Sequence, residues 1–195
     1  MSANGKKYHR RSIRLPEYDY GQEGAYYVTI CAQDRKCIFG QIKNGRMQLN
    51  EWGSMVHSFW ERLPEHYCGL VLDSFVIMPN HVHFIIIIAN DVVPRGRGEV
   101  TSPLGDGDNN LVMGEVTSPL RDSAKHTLGQ VLAFYKYQTT KAINLANSTP
   151  GRKIWQRNYF EHIIRNERSY NEIRKYIIEN PRYWAADDEN PERKS

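Results

Sequence analysis

The sequence predicts an α+β fold, a sandwich in which one antiparallel sheet carries helices on one face. Three observations predict it. Strand-like and helix-like segments intermix along the chain, Asn44-Gly45 signals a tight hairpin, and two strand-length apolar segments meet at Pro79-Asn80. An Asn-Gly pair accepts the positive φ that a two-residue hairpin turn requires.

The elements follow in order. Residues 1–24 form a basic arm, in which Lys6, Lys7, Arg10, Arg11 and Arg14 occur with no acid among them. Residues 26–32 (YYVTICA) read as a strand, and residues 37–43 and 46–49 flank the hairpin turn. Trp52, Met55, Val56, Phe59, Trp60 and Leu63 recur at helical spacing, and Pro64 stops that helix. Residues 70–78 and 81–88 read as two strands. Residues 94–123 are rich in Gly and Pro, contain the heptapeptide GEVTSPL twice, and read as a flexible insertion. Leu128, Val131, Leu132, Tyr135, Thr139, Ala142, Ile143 and Ala146 mark one face of a long helix. Residues 159–165 are a short strand, and Ser169 with Glu172 makes a capping box for a final helix that Pro181 disturbs. An acidic tail, 185–195, closes the chain, so a single domain spans residues 1–195.

Composition narrows the function. The chain has 195 residues, 40% apolar and 25% charged, which is ordinary for a globular domain. Its longest strongly apolar run, residues 84–89, falls far short of the roughly 20 residues that cross a bilayer. No apolar segment follows the basic N-terminus, and three cysteines without metal-binding spacing suit reduced thiols, so a cytoplasmic protein with no membrane partner is expected. A net charge of +4 is mild, but the basic arm and a second basic stretch after residue 152 suit a polyanion.

His81-Val82-His83 is the sharpest feature. Residues i and i+2 of a strand share a face, so both imidazoles project together from a strand whose flanks are apolar on both sides, as in a central strand. Buried imidazoles need partners, and a divalent cation is one. Histidines that merely satisfy local hydrogen bonds are the plainer reading. Two histidines rarely complete a metal site, and no cysteine cluster or second histidine motif adds to them. Three of the 12 tyrosines stand one helical turn before an amide or carboxylate: Tyr18 (Gln22), Tyr176 (Asn180) and Tyr183 (Asp187). Tyr18 lies between Pro16 and Gly21, and Tyr183 follows Pro181. Tyr176 sits within the final helix beside its Ile173/Ile177 stripe, where an ordinary amphipathic-helix tyrosine is the competing reading. Lys136 and Lys141 on the long helix, with Arg157 and Arg165, are candidates for phosphate contacts, or simply solvated charges.

The runs FVIMPNHVHFIIII (75–88), IWQRNYFEHIIR (154–165) and YIIENP (176–181) resemble the single-tyrosine HUH transposases, and within them the REP-associated tyrosine transposase branch. RRSIRLPEYD (10–19) and GAYYVTIC (24–31) are similar to the same branch. The resemblance implies a ferredoxin-like, RRM-like sandwich with the HUH motif on its central strand. It implies His81, His83 and Asn180 as ligands of a Mg or Mn ion and Tyr176 as the nucleophile. The implied partner is single-stranded or hairpin DNA, cleaved and transferred through a covalent 5′-phosphotyrosine by a monomer or homodimer associated with the nucleoid. Arg10, Arg11, Arg14, Lys136, Lys141, Arg157 and Arg165 would then contact DNA. The 94–123 insertion departs from compact relatives. A domesticated, non-catalytic hairpin-binding protein is the alternative; a zinc hydrolase lacks a visible third strong ligand.

Overall fold

The computed structural model describes residues 23–89 and 126–193. The 94–123 insertion, and all of the basic arm but its last two residues, lie outside the described residues. The elements are β1 (Gly24–Cys31), β2 (Gly40–Lys43), β3 (Arg46–Leu49), α1 (Glu51–Glu61), α2 (Leu63–His66), β4 (Leu70–Ile77), β5 (His81–Ile88), α3 (Leu128–Ala146), β6 (Phe160–Ile164) and α4 (Glu167–Glu179). The main sheet runs β4-β5-β1-β6, with every neighbouring pair antiparallel. With the β2–β3 hairpin set aside as an insertion, this is a βαββαβ sandwich of ferredoxin-like connectivity. Asn44 and Gly45 both take positive φ, 53° and 69°, as the hairpin turn demands.

β5 lies in the interior of the sheet, paired on both sides, which explains its nearly unbroken apolar run. Val82, Phe84, Ile86 and Ile88 point to one face, where α1 and α3 supply Val56, Trp60, Leu132 and Tyr135. Trp60 packs between Phe75 and Phe84, at ring-centroid distances of 4.7 and 4.5 Å. Gly53 is required where α1 meets the hairpin, since an added Cβ would stand 2.2 Å from the Phe39 carbonyl oxygen.

The helices expected on one face are α1 and α3; α4 is an addition on the opposite face. There Ile177 closes a second apolar cluster with Ile85 and Ile164. The burial of Ile177 contributes roughly 1.5–3 kcal/mol. Polar contacts fix the helix further. β4 bulges between Leu72 and Phe75, and the displaced Asp73 accepts from Tyr170 Oη at 2.5 Å and pairs with Arg174 at 3.3 Å. The expected capping box at Ser169 is corrected: Asn166 is the N-cap, its side chain accepting from the Ser169 amide at 2.8 Å. Asn166 wins because its extended backbone lets it cap a helix that already includes Ser169. The long helix carries a capping box, Thr127 with Gln130, that the sequence reading passed over. No helix among the described residues is long and apolar enough to cross a membrane.

Candidate active site

His81 and His83 both leave β5 on the α4 side and are almost wholly buried. Their Nε2 atoms lie 2.9 Å apart. Neighbours set their proton positions. The Asn80 amide donates through Nδ2 to the carbonyls of Arg35, at 3.0 Å, and Glu189, at 2.7 Å. Its Oδ1 is therefore the acceptor that faces His81 Nδ1 at 2.8 Å. His81 carries its proton on Nδ1, which leaves Nε2 a bare lone pair aimed at His83. Around His83 Nδ1 stand two hydroxyls, Thr29 Oγ1 at 2.8 Å and Tyr27 Oη at 2.9 Å. A hydroxyl donates or accepts, so His83 can surrender its Nε2 proton without losing a partner on Nδ1. Burial holds both rings in the neutral form: His81 falls to about 3, helped by the Arg35 charge, and His83 falls well below its usual range, helped by His81. Neutral imidazole is the form that ligates a metal.

α4 brings Tyr176 to this pair within one chain. Its Oη lies 3.4 Å from His83 Nε2, and its ring packs 5.3 Å from the imidazole and 6.3 Å from the Tyr27 ring. Tyr176 is 47% exposed, so its hydroxyl is reachable from solvent. Burial and the Asp187 charge push its pKa up, against hydrogen bonds from Asn180 and Tyr27 that pull it down. Asn180, one turn on, is buried, and its Oδ1 has no hydrogen-bond partner among the described residues.

Asp187 was missed. It belongs to the segment read as an acidic tail, yet its Oδ2 lies 3.7 Å from His81 Nε2. His81, His83 and Asp187 each bring one ligand atom within 4.8 Å of the others. Desolvation raises the Asp187 carboxyl above its ordinary range. A 3-10 turn over Asn180–Ala186 carries the chain back to the site, and Glu189 anchors it through Arg35 at 3.0 Å. The Tyr183–Asp187 spacing was the available signal, set aside because Tyr183 follows Pro181, yet Asp187 reaches the histidines. The donor set fits a divalent cation: two neutral imidazole nitrogens, an orphaned buried amide oxygen and a carboxylate.

The candidate phosphate contacts divide. Arg10, Arg11 and Arg14 lie outside the described residues. Lys136 is half-buried and donates to the carbonyls of Gln156, at 2.5 Å, and Arg157, at 3.0 Å, so its ammonium chiefly pins a loop; burial lowers it to about 8. Lys141, Arg157 and Arg165 are exposed. A cleft of about 560 Å³ between α3 and residues 151–159 is lined by Lys136, Arg152, Lys153, Arg157 and Tyr137, with no acid in its wall among the described residues.

The fold is similar to that of a REP-associated tyrosine transposase. The structure of such a transposase bound to a REP hairpin superimposes with a TM-score of 0.52 at 20% identity, over 88% of this chain and 73% of that one. A Deinococcus radiodurans structure described as a candidate transposase has a TM-score of 0.45 at 13% identity, over 86% of this chain and 96% of that one, too distant to carry an argument. No protein-family model matches the chain. An uncharacterized Haemophilus influenzae protein is 38% identical over 184 residues, 94% of either chain, and this chain belongs to the same family.

Proposed function

We propose that the protein is a single-tyrosine HUH transposase of the REP-associated branch, cleaving and rejoining single-stranded or hairpin DNA. The observation that carries the reading is Tyr176 Oη at 3.4 Å from His83 Nε2, in its own chain, over two imidazoles only 2.9 Å apart. His81, His83, Asp187 and Asn180 are the residues that would hold a divalent ion, Mg or Mn by resemblance. When bound, that ion supplies Lewis-acid polarisation of the scissile phosphate.

The chain's own groups supply the rest. α4 holds Tyr176 in place, so attack needs no further ordering of the nucleophile. A phenol is a poor nucleophile at neutral pH, so Tyr176 must give up its proton as its oxygen attacks, and the departing 3′ oxygen takes one up. The Tyr176 oxygen then bonds to phosphorus as the P–O3′ bond breaks. The 3′ oxygen leaves as a hydroxyl, and the 5′ phosphate stays on the tyrosine. Attack by another 3′ hydroxyl reverses the exchange and transfers the strand. The cationic cleft beside α3, with Arg165 and Lys141, is where the DNA backbone would lie.

Asp187 favours one competing reading. A two-histidine, one-carboxylate set also suits a hydrolytic ion that activates water. Cleavage of hairpin oligonucleotides with Mn²⁺, resolved on denaturing gels, separates the two. The Tyr176→Phe variant should lose at least about 1,000-fold in rate, since the nucleophile itself is gone. Cleavage at the wild-type rate in that variant would assign the site to hydrolysis.

A further inference from the structure

We propose that Phe160 is a stacking platform for an unpaired DNA base next to the phosphate that Tyr176 attacks; the assignment rests on the transposase reading above. Among the described residues, the sheet face that bears the site is unevenly covered. β6 pairs with β1 so that Phe160 opposes Thr29 and His162 opposes Tyr27, while Thr29 opposes His83 on β5. Side chains of paired residues share a face, so Phe160 and His162 stand on the same surface as His83. At one end of β6 Ile164 is covered by Ile177 of α4; at the other, Phe160 is 50% exposed and His162 is exposed.

A large apolar ring half in water on an open sheet face is a poor contribution to folding, and here it stands beside a candidate nucleophile. Tyr27 connects the two. Its ring makes edge-to-face contacts with Phe160 at 6.1 Å and with Tyr176 at 6.3 Å, and its hydroxyl bonds His83 Nδ1 at 2.9 Å. Phe160 is thus one ring removed from the attacking oxygen, about the reach of a neighbouring nucleotide. The surroundings favour nucleic acid over a protein partner. Exposed Arg157 precedes β6 and exposed Arg165 follows it. A flat ring beside cationic side chains is how unpaired bases are held without sequence-specific hydrogen bonds.

The test uses the full chain carrying Tyr176→Phe, so that bound DNA stays intact, and hairpin oligonucleotides with 2-aminopurine at each unpaired position in turn. Stacking should quench one or two positions. Adding Phe160→Ala should abolish that quenching and weaken binding about tenfold or more, while Phe160→Trp keeps both. The slope of log affinity against log salt should not change, because no phosphate contact is lost. Unchanged quenching and affinity in Phe160→Ala would overturn the proposal, as would a loss of affinity that Phe160→Trp fails to restore. A change from dimer to monomer in Phe160→Ala, with DNA affinity intact, would assign the ring to an interface between copies and likewise overturn it. Wild-type cleavage is assayed alongside: a chain that cleaves but is indifferent to Phe160 sinks only this proposal, whereas one that neither cleaves nor binds hairpins sinks the transposase reading with it.

Discussion

Asn80 settles the chemistry of His81. With both amide hydrogens committed to backbone carbonyls, its oxygen has one orientation, and that orientation dictates which imidazole nitrogen is bare. Partners that orient a ligand in this way typically contribute 10–100-fold to metal affinity. Asn80→Ala should therefore weaken Mn²⁺ binding by about that factor in a calorimetric titration, and should cost about 1–3 kcal/mol of stability for the stranded polar groups. Wild-type Mn²⁺ affinity in Asn80→Ala would show that the amide does not orient the ligand. The histidine pair was legible in the sequence because strand alternation alone puts i and i+2 on one face. The role of Asn80 was not, since its partners come from residues 35 and 189, far from it in the chain on either side. Asp187 was hidden for a related reason: it reaches His81 through an irregular 3-10 turn, which leaves no period to read.

Among the elements, α4 does most to make the site. It is held at its start by a cap, along one side by Ile173 and Ile177, and at the β4 bulge by Tyr170 and Arg174. These attachments hold Tyr176 over His83. Asn166→Ala should cost about 1 kcal/mol in urea unfolding, whereas Ser169→Ala should cost less than half as much. Equal losses would return the cap to Ser169. The two candidates sit three residues apart and are both good capping types, so the sequence could not separate them without backbone geometry. Strands β4 and β5 and helix α3 were clear in advance because their apolar patterns are long; β5 and α3 begin and end where expected, and β4 stops one residue short. The face chosen by α4 was not, because its stripe could pack on either side of a sheet whose central strand is apolar throughout.

For the molecule as a whole, burying two neutral histidines makes stability depend on pH. Both have folded-state values below the ordinary 6.5, so between about 3 and about 6.5 the unfolded chain binds more protons than the folded one. Stability is then fully present above that window and falls as pH drops through it. Asp187 works in the opposite direction, since its carboxyl is raised, but it is one group against two. In chelator, the melting temperature should fall between pH 7 and pH 4.5; a flat profile would mean that the histidines are already protonated or accessible to water. The same buried pair gives the site its chemical meaning only if Tyr176 becomes attached to DNA. The most direct measurement is mass spectrometry of proteolysed protein after incubation with hairpin DNA and Mn²⁺. The transposase account predicts a nucleotide adduct on the peptide carrying Tyr176, whereas DNA cleavage without any adduct, or an adduct confined to Tyr27 or Tyr183, would contradict it.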